Sequence, residues 1–261
     1  MDLFLFSVDP DVVRRTVAAG AAGVVVDWER RGKSRRQVGQ DTQINSDTPR
    51  DLERVRGATG GRVLCRVNGF GPWTADEVDA AVACGADELL LPMVRSTEEV
   101  DRTLDLVAGR CGLGILVETQ QGVDIAGELA RLPLSRVYVG LNDLRIDRGS
   151  DSLFTPLVDG TADVVRAACG SLPFGVAGLT RPDAGWPVPS RLLAGELARL
   201  GASFTFLRRS FLADTDGRDP FVEVPRILAA SAAARTRSPR RVVADRDALV
   251  EAVGAAWLQP A

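Results

Sequence analysis

Eight times along this chain a short apolar run is followed by a stretch with helical spacing. The runs fall at residues 3–8, 23–26, 63–67, 88–91, 113–118, 138–143, 174–177 and 204–207. Runs this short, rich in β-branched residues and bounded by glycine or proline, read as buried strands. The intervening stretches carry helix signals. Asp9-Pro10 supplies an N-cap and first helical residue, with Val13 and Val17 on one face. Asp47-Thr48-Pro49 starts a helix reaching about Arg56. Thr74 with Glu77, and Ser96 with Glu99, have capping-box spacing, and Ser190 precedes Leu193, Leu197 and Leu200. The pairs Gly20-Ala21, Gly85-Ala86 and Gly201-Ala202 each close a helix before a strand, with glycine suited to the left-handed position. Eight such units predict an α/β chain folded as a (β/α)8 TIM barrel. A doubly wound sheet would want an early Gly-x-Gly-x-x-Gly, which the chain lacks.

Two runs end on a carboxylate. Leu-Gly-Ile-Leu-Val stops at Glu118, and Tyr-Val-Gly-Leu-Asn stops at Asp143. An unpaired charge is costly inside a strand but not where the strand leaves the sheet. Parallel neighbours would bring both carboxylates to one rim, where they repel unless one keeps a proton. A hard divalent cation, which prefers oxygen ligands, removes the repulsion. The pair therefore reads either as a metal site or as salt bridges closing the barrel mouth. Asp27, Arg66, Arg181 and Arg208 also fall at strand exits, where such barrels place their chemistry. Arg66 either neutralises the acidic rim or holds a substrate carboxylate or enolate oxygen, for which a guanidinium fork is suited. Asp27 and Glu29 can pair with Lys33 or Arg35. Gln120, Asn68 and Asn142 are rim amides, each placed to hold either a loop or a ligand.

The chain has no histidine, which removes imidazole bases, imidazole ligands and Ser-His-Asp catalysis. A net charge of −3 gives no reason to expect nucleic acid. The four cysteines show no paired spacing and read as thiols of a reducing cytoplasm. No secretory signal and no membrane-spanning run is expected.

Val-Asp-Trp-Glu at 26–29, Arg-Val-Asn at 66–68, Leu-Pro-Met at 91–93, Val-Glu-Thr at 117–119 and Gly-Leu-Asn-Asp-Leu at 140–144 stand in one family's order. In these motifs the chain resembles the HpcH/HpaI aldolases and citrate lyase β subunits, members of the phosphoenolpyruvate/pyruvate-binding barrels. The resemblance covers residues 3–212. It implies a carbon–carbon lyase, dependent on magnesium or manganese, that acts on a 2-oxo acid, a hydroxy-oxo acid or a related acyl substrate through an enolate. It places the metal on Glu118 and Asp143, the enolate on Arg66, and the substrate carboxylate on backbone amides at Asn142 and Asp143. Gln120 is a further expected substrate contact. The aldolase branch uses a histidine as part of its base, so another group must serve, and Asp27 beside bulky Trp28 is the expected one. Where the citrate lyase branch has Asp-Leu-Glu-Asp, this chain has Asp27-Trp28-Glu29-Arg30. The missing histidine supports an alternative, a non-catalytic barrel that binds metal and oxo acid as a sensor or partner subunit.

Residues 1–220 are expected to form the barrel domain and 221–261 a C-terminal helical extension. Residues 235–241 read as a solvated basic linker. Beyond it Leu249, Val253 and Trp257 form an apolar stripe that must cover either the chain's own barrel or a neighbouring subunit. A homo-oligomer is expected, a trimer or hexamer by the resemblance.

Overall fold

A computed structural model describes residues 1–32, 47–208 and 210–256 of the chain; Lys33, Arg35 and Trp257 lie outside the described residues. Eight parallel strands close into a barrel in chain order: β1 (Asp2–Phe6), β2 (Gly23–Asp27), β3 (Arg62–Arg66), β4 (Glu88–Leu91), β5 (Gly112–Val117), β6 (Arg136–Val139), β7 (Phe174–Leu179) and β8 (Phe204–Leu207), with β8 pairing back to β1. The first half of the helical ring consists of α1 (Pro10–Ala18), α2 (Pro49–Ala58), α3 (Thr74–Ala83) and α4 (Thr97–Val107). Short helices α5 (Gln120–Asp124), α6 (Ala126–Leu129), α7 (Leu141–Arg148) and α8 (Thr155–Val158) follow, then α9 (Thr161–Cys169), α10 (Ser190–Arg199), α11 (Ser210–Asp214), α12 (Pro220–Arg235) and α13 (Pro239–Ala256).

The strands form because their alternating side chains have two apolar environments. One set, including Leu3, Val24, Val63, Leu89 and Ile115, packs outward under the helices. The other set, Phe4, Val25, Leu64, Leu90, Leu116, Tyr138, Phe204 and Phe206, fills the barrel interior. Beneath it Arg136 Nε donates to Glu88 Oε1 at 2.6 Å, with the guanidinium over the rings of Phe4 and Phe204.

Two helix starts follow the sequence signals. Asp9 Oδ1 accepts the Asp11 and Val12 N–H groups at 2.9 and 3.1 Å, and Thr48 with Asp51 forms a reciprocal capping box. The box expected at Thr74 is not made. Thr74 is already helical and its hydroxyl accepts the Gly71 N–H, while Glu77 takes the side-chain and main-chain N–H groups of Asn68. A loop amide competes successfully for the carboxylate.

The C-terminal helices belong to the barrel. α12 packs between α1 and α10 and so completes the ring, while α13 packs on α10 and α8. Leu249 and Val253 are buried against this chain's own body, which settles how the described part of the stripe is covered. Residues 235–241 are solvent-exposed apart from half-buried Arg237, as expected, but they form a tight joint between two helices and not a free linker. Arg237 donates to the Gly195 carbonyl at 2.5 Å and pairs with Asp245, Arg235 donates to the Ala202 carbonyl, and helix resumes at Pro239. Charged heads find carbonyls at helix and loop ends while their stems cover apolar surface.

Candidate functional site

The inward-facing alternation does not stop where the strands stop. Counting two residues on from Val25, Leu64, Leu116 and Phe206 gives Asp27, Arg66, Glu118 and Arg208. The period of two that fills the interior therefore aims these charged side chains at the barrel axis. All four line a cavity of about 830 Å³, whose walls also include Phe6, Tyr138, Leu153 and Phe154.

Asp27 and Arg66 are paired across the β2–β3 ladder. Arg66 Nε donates to Asp27 Oδ1 at 2.8 Å and Nη2 to Oδ2 at 2.7 Å, a two-point fork. Nη1 lies 3.4 Å from Glu29 Oε2, and the guanidinium sits over the Phe6 ring. Burial alone would lower the Arg66 pKa, but the charges of Asp27 and Glu29 outweigh it and hold it well above the ordinary value. Arg66 is thus a fixed, permanently charged group on the cavity wall.

Glu118 is 3% exposed and Asp143 6%. Burial, and then the charge of Asp143, push Glu118 up from 4.5 to about 8; Arg66 and the Met93 N–H, which donates to Glu118 Oε2 at 3.3 Å, oppose the rise. Asp143 sits in the first turn of α7, where a negative charge is favoured. The residue before α7 has to be glycine. A Cβ on Gly140 would lie 2.2 Å from Glu118 Oε1, so the missing side chain is what lets the carboxylate lie against the β6 exit. This carboxylate pair fits magnesium, which is held by one or two protein carboxylates with water and substrate completing its shell. No group of three His, Cys, Asp or Glu side chains converges among the described residues, so a closed, all-protein metal cage is not formed there.

Asn142 lines the same cavity, and its buried Nδ2 has no hydrogen-bond partner among the described residues. Gln120 is not brought there. Its Nε2 donates to Asp124 at 2.6 Å and its Oε1 accepts from Arg148 at 2.7 Å, so the amide ties α5 to α7 outside the cavity lining. Asn68 is also a loop clasp, accepting the Arg30 and Arg31 N–H groups and donating to the Trp28 carbonyl. Arg181 turns outward to the Asp214 carbonyl and Asp183.

Asp47 was not foreseen at the site. It directly precedes the helix cap Thr48, a context that explains an aspartate without chemistry. In the structure its Oδ2 accepts the Asp27 N–H at 2.8 Å, and it lines the cavity beside the Arg66 fork. Burial raises its pKa more than the Asp27 N–H lowers it.

No family model matches the chain. Among curated proteins it is similar to an indole-3-glycerol phosphate synthase from Aromatoleum aromaticum (strain DSM 19018 / LMG 30748 / EbN1), 30% identical over 136 residues, which are 52% of this chain and 50% of that protein. The chain thus spans about half the length of that curated relative. Among solved structures it is similar to an HpcH/HpaI aldolase from Desulfitobacterium hafniense DCB-2, with TM-score 0.62 and 18% identity over 82% of this chain and 89% of that one. It is also similar to the protein CitE from Mycobacterium tuberculosis, solved with magnesium and acetate, with TM-score 0.63 and 17% identity over 95% and 96% of the two chains. The barrel is the fold of the HpcH/HpaI aldolase and citrate lyase proteins. At that identity the likeness concerns the fold, and it agrees with the closed ring of eight parallel strands. No described helix is long and apolar enough to cross a membrane.

Proposed function

We propose that the protein is a magnesium-dependent carbon–carbon lyase acting on a 2-oxo acid or hydroxy-oxo acid. The observation that carries this reading is the junction of a rigid guanidinium, Arg66, with the carboxylate pair Glu118 and Asp143 in one cavity at the strand exits. The magnesium of the CitE complex and the aldolase names of the structural relatives support it.

Glu118 and Asp143 would hold the cation, which supplies a Lewis acid for the negative charge that develops on the substrate. Arg66 places its positive charge against the enolate oxygen, and its fork to Asp27 fixes that charge before the reaction begins. The Asn142 amide donates to the substrate carboxylate. In cleavage a hydroxyl proton must leave as the carbon–carbon bond breaks and its electrons pass to the oxo-acid fragment. Both oxygens of Asp27 are taken up by Arg66, and a carboxylate so paired is a weak base. We therefore give Asp27 the positioning role and the proton to Asp47, whose raised pKa moves towards the working range of a general base.

A panel of 2-oxo and hydroxy-oxo acids, assayed with magnesium and with chelator, tests the reading. Magnesium-dependent formation of two products is expected. Binding without turnover would favour the sensor reading, which the absence of histidine supports, and no binding at all would overturn both.

A further inference from the structure

Arg208 is left over by the lyase reading. It stands two residues beyond Phe206 on the inward-facing side of β8 and lines the cavity. Round the ring, β8 lies three strands from β3 by way of β1 and β2, and three from β5 by way of β6 and β7. Arg208 thus faces the Arg66 and Glu118 side across the mouth. Its Nη1 is buried and has no hydrogen-bond partner among the described residues. Among the described residues Nη2 makes one long contact, 3.4 Å, to the Trp186 carbonyl. The guanidinium carbon is 5.9 Å from the centre of the Phe154 ring.

The nearby carboxylate does not neutralise it. Asp214 Oδ2 accepts the Thr180 hydroxyl at 2.5 Å and the Ser210 hydroxyl at 2.8 Å, and no ion pair joins Asp214 to Arg208 among the described residues. Burial lowers the Arg208 pKa, with only Asp214 opposing. Arg208 as a whole is half-buried, but a buried guanidinium nitrogen with an unspent donor is costly, because arginine keeps its charge and the desolvation of that nitrogen is unrepaid. The loop after β7 is nevertheless shaped to cover it. A Cβ on Gly185 would sit 3.1 Å from Nη1 and 2.7 Å from the Ser190 nitrogen, so the loop packs closely on the guanidinium. Apolar side chains, Leu5, Phe206, Leu153 and Phe154 among them, line the same cavity as the two arginines. The cavity, at about 830 Å³, far exceeds what a three-carbon oxo acid fills.

Resting on the oxo-acid reading, we propose that Arg208 is a specificity-determining residue that binds a terminal oxyanion, carboxylate or phosphate, on the far end of the substrate chain. The substrate is then anionic at both ends. The oxo-acid end lies at Arg66 and the carboxylate pair, an apolar span crosses the walls, and the second anion takes the unspent Arg208 donor. Charge-assisted hydrogen bonds to guanidinium are among the strongest a site can make, and burial strengthens them.

Titration calorimetry on the whole protein with magnesium would compare 2-oxoadipate with 2-oxohexanoate, chains of equal length with and without a terminal carboxylate. A preference of about tenfold or more for the dianion is expected in the wild type. Arg208→Met should collapse that preference and Arg208→Lys should restore part of it. A second arm omits the oxo acid. In chelator, glutarate and inorganic phosphate should each bind the wild type saturably and about tenfold more weakly in Arg208→Met, and the tighter anion names the terminal group. Equal affinities for dianion and monoanion in the wild type, no saturable anion binding in chelator, or an unchanged preference in a folded Arg208→Met protein would each overturn the proposal. If the anion arm behaves as expected but no 2-oxo acid binds, the lyase reading fails and the Arg208 assignment stands.

Discussion

Glu118 reports on the site even without substrate. Its ordinary pKa of 4.5 rises to about 8 in the folded chain, chiefly through burial. Between those values the folded state keeps a proton that the unfolded state releases, so the metal-free protein loses stability as pH rises from about 4.5 towards 8. The loss amounts to a few kcal/mol at most, on the order of 1.4 kcal/mol per pKa unit. Denaturant unfolding in chelator at pH 5 and pH 8 should show this slope, and Glu118→Gln should flatten it. If the mutant keeps the full slope, Glu118 is not its source. A second pair of substitutions separates Asp27 from Asp47. Asp47→Asn should lower kcat by about 10²–10⁴ with KM little changed, the usual cost of losing a general base. Asp27→Asn releases Arg66 and should raise KM as well, lowering kcat/KM by about 10²-fold through lost orientation. The reverse pattern would return the base to Asp27. Glu118, Asp143 and Arg66 were legible because each ends an apolar run. Asp47 was not, because no run points at it, and its place shows only in its contact with a main-chain N–H twenty residues away.

At the scale of elements, the strands were legible from their apolar runs and the Gly-Ala joints, which the structure places with positive φ at Gly20, Gly85 and Gly201. The C-terminal stripe was legible as a stripe but not as to its partner, since an apolar face carries no address. The partner came from arginines that sequence alone reads as solvated. Arg246, for example, reaches Glu196 on α10 at 2.5 Å and the Leu157 carbonyl on α8. Leu249→Ala should therefore cost about 2–5 kcal/mol, as in a core, with no change in mass by light scattering. A drop in assembly state at unchanged stability would place the stripe at an interface instead. At β7, Ala177 takes a positive φ of 54° where the pairing with β8 shifts register. Its carbonyl accepts the hydroxyls of Tyr138 and Thr205, the latter at 2.7 Å. A carbonyl held twice fixes the irregularity that carries Gly178 to the cavity wall. Tyr138→Phe should cost about 0.5–1.5 kcal/mol, the net worth of one hydrogen bond, because Thr205 still holds the carbonyl, and thermal unfolding measures it.

At the scale of the whole molecule, the barrel is filled below and open above. The closed end holds Glu88 and Arg136, each 3% exposed and joined at 2.6 Å, with the Ser135 hydroxyl donating to Glu88. Breaking such a pair leaves an uncompensated charge, so Glu88→Gln should destabilise the fold by about 3–5 kcal/mol. Replacing both by leucine and methionine should cost far less, which denaturant unfolding of the single and double variants would resolve. Above this floor Phe204, Phe206, Tyr138 and Leu116 occupy the axis. The cavity is accordingly a blind well with its chemistry at depth and Trp186, 75% exposed, at its lip. Traffic through a blind well is last in, first out. After cleavage, the fragment nearer the lip must leave before the oxo-acid fragment beneath it can follow. Kinetically that is an ordered release, so the oxo-acid product, the last to leave, should compete with substrate for the free protein.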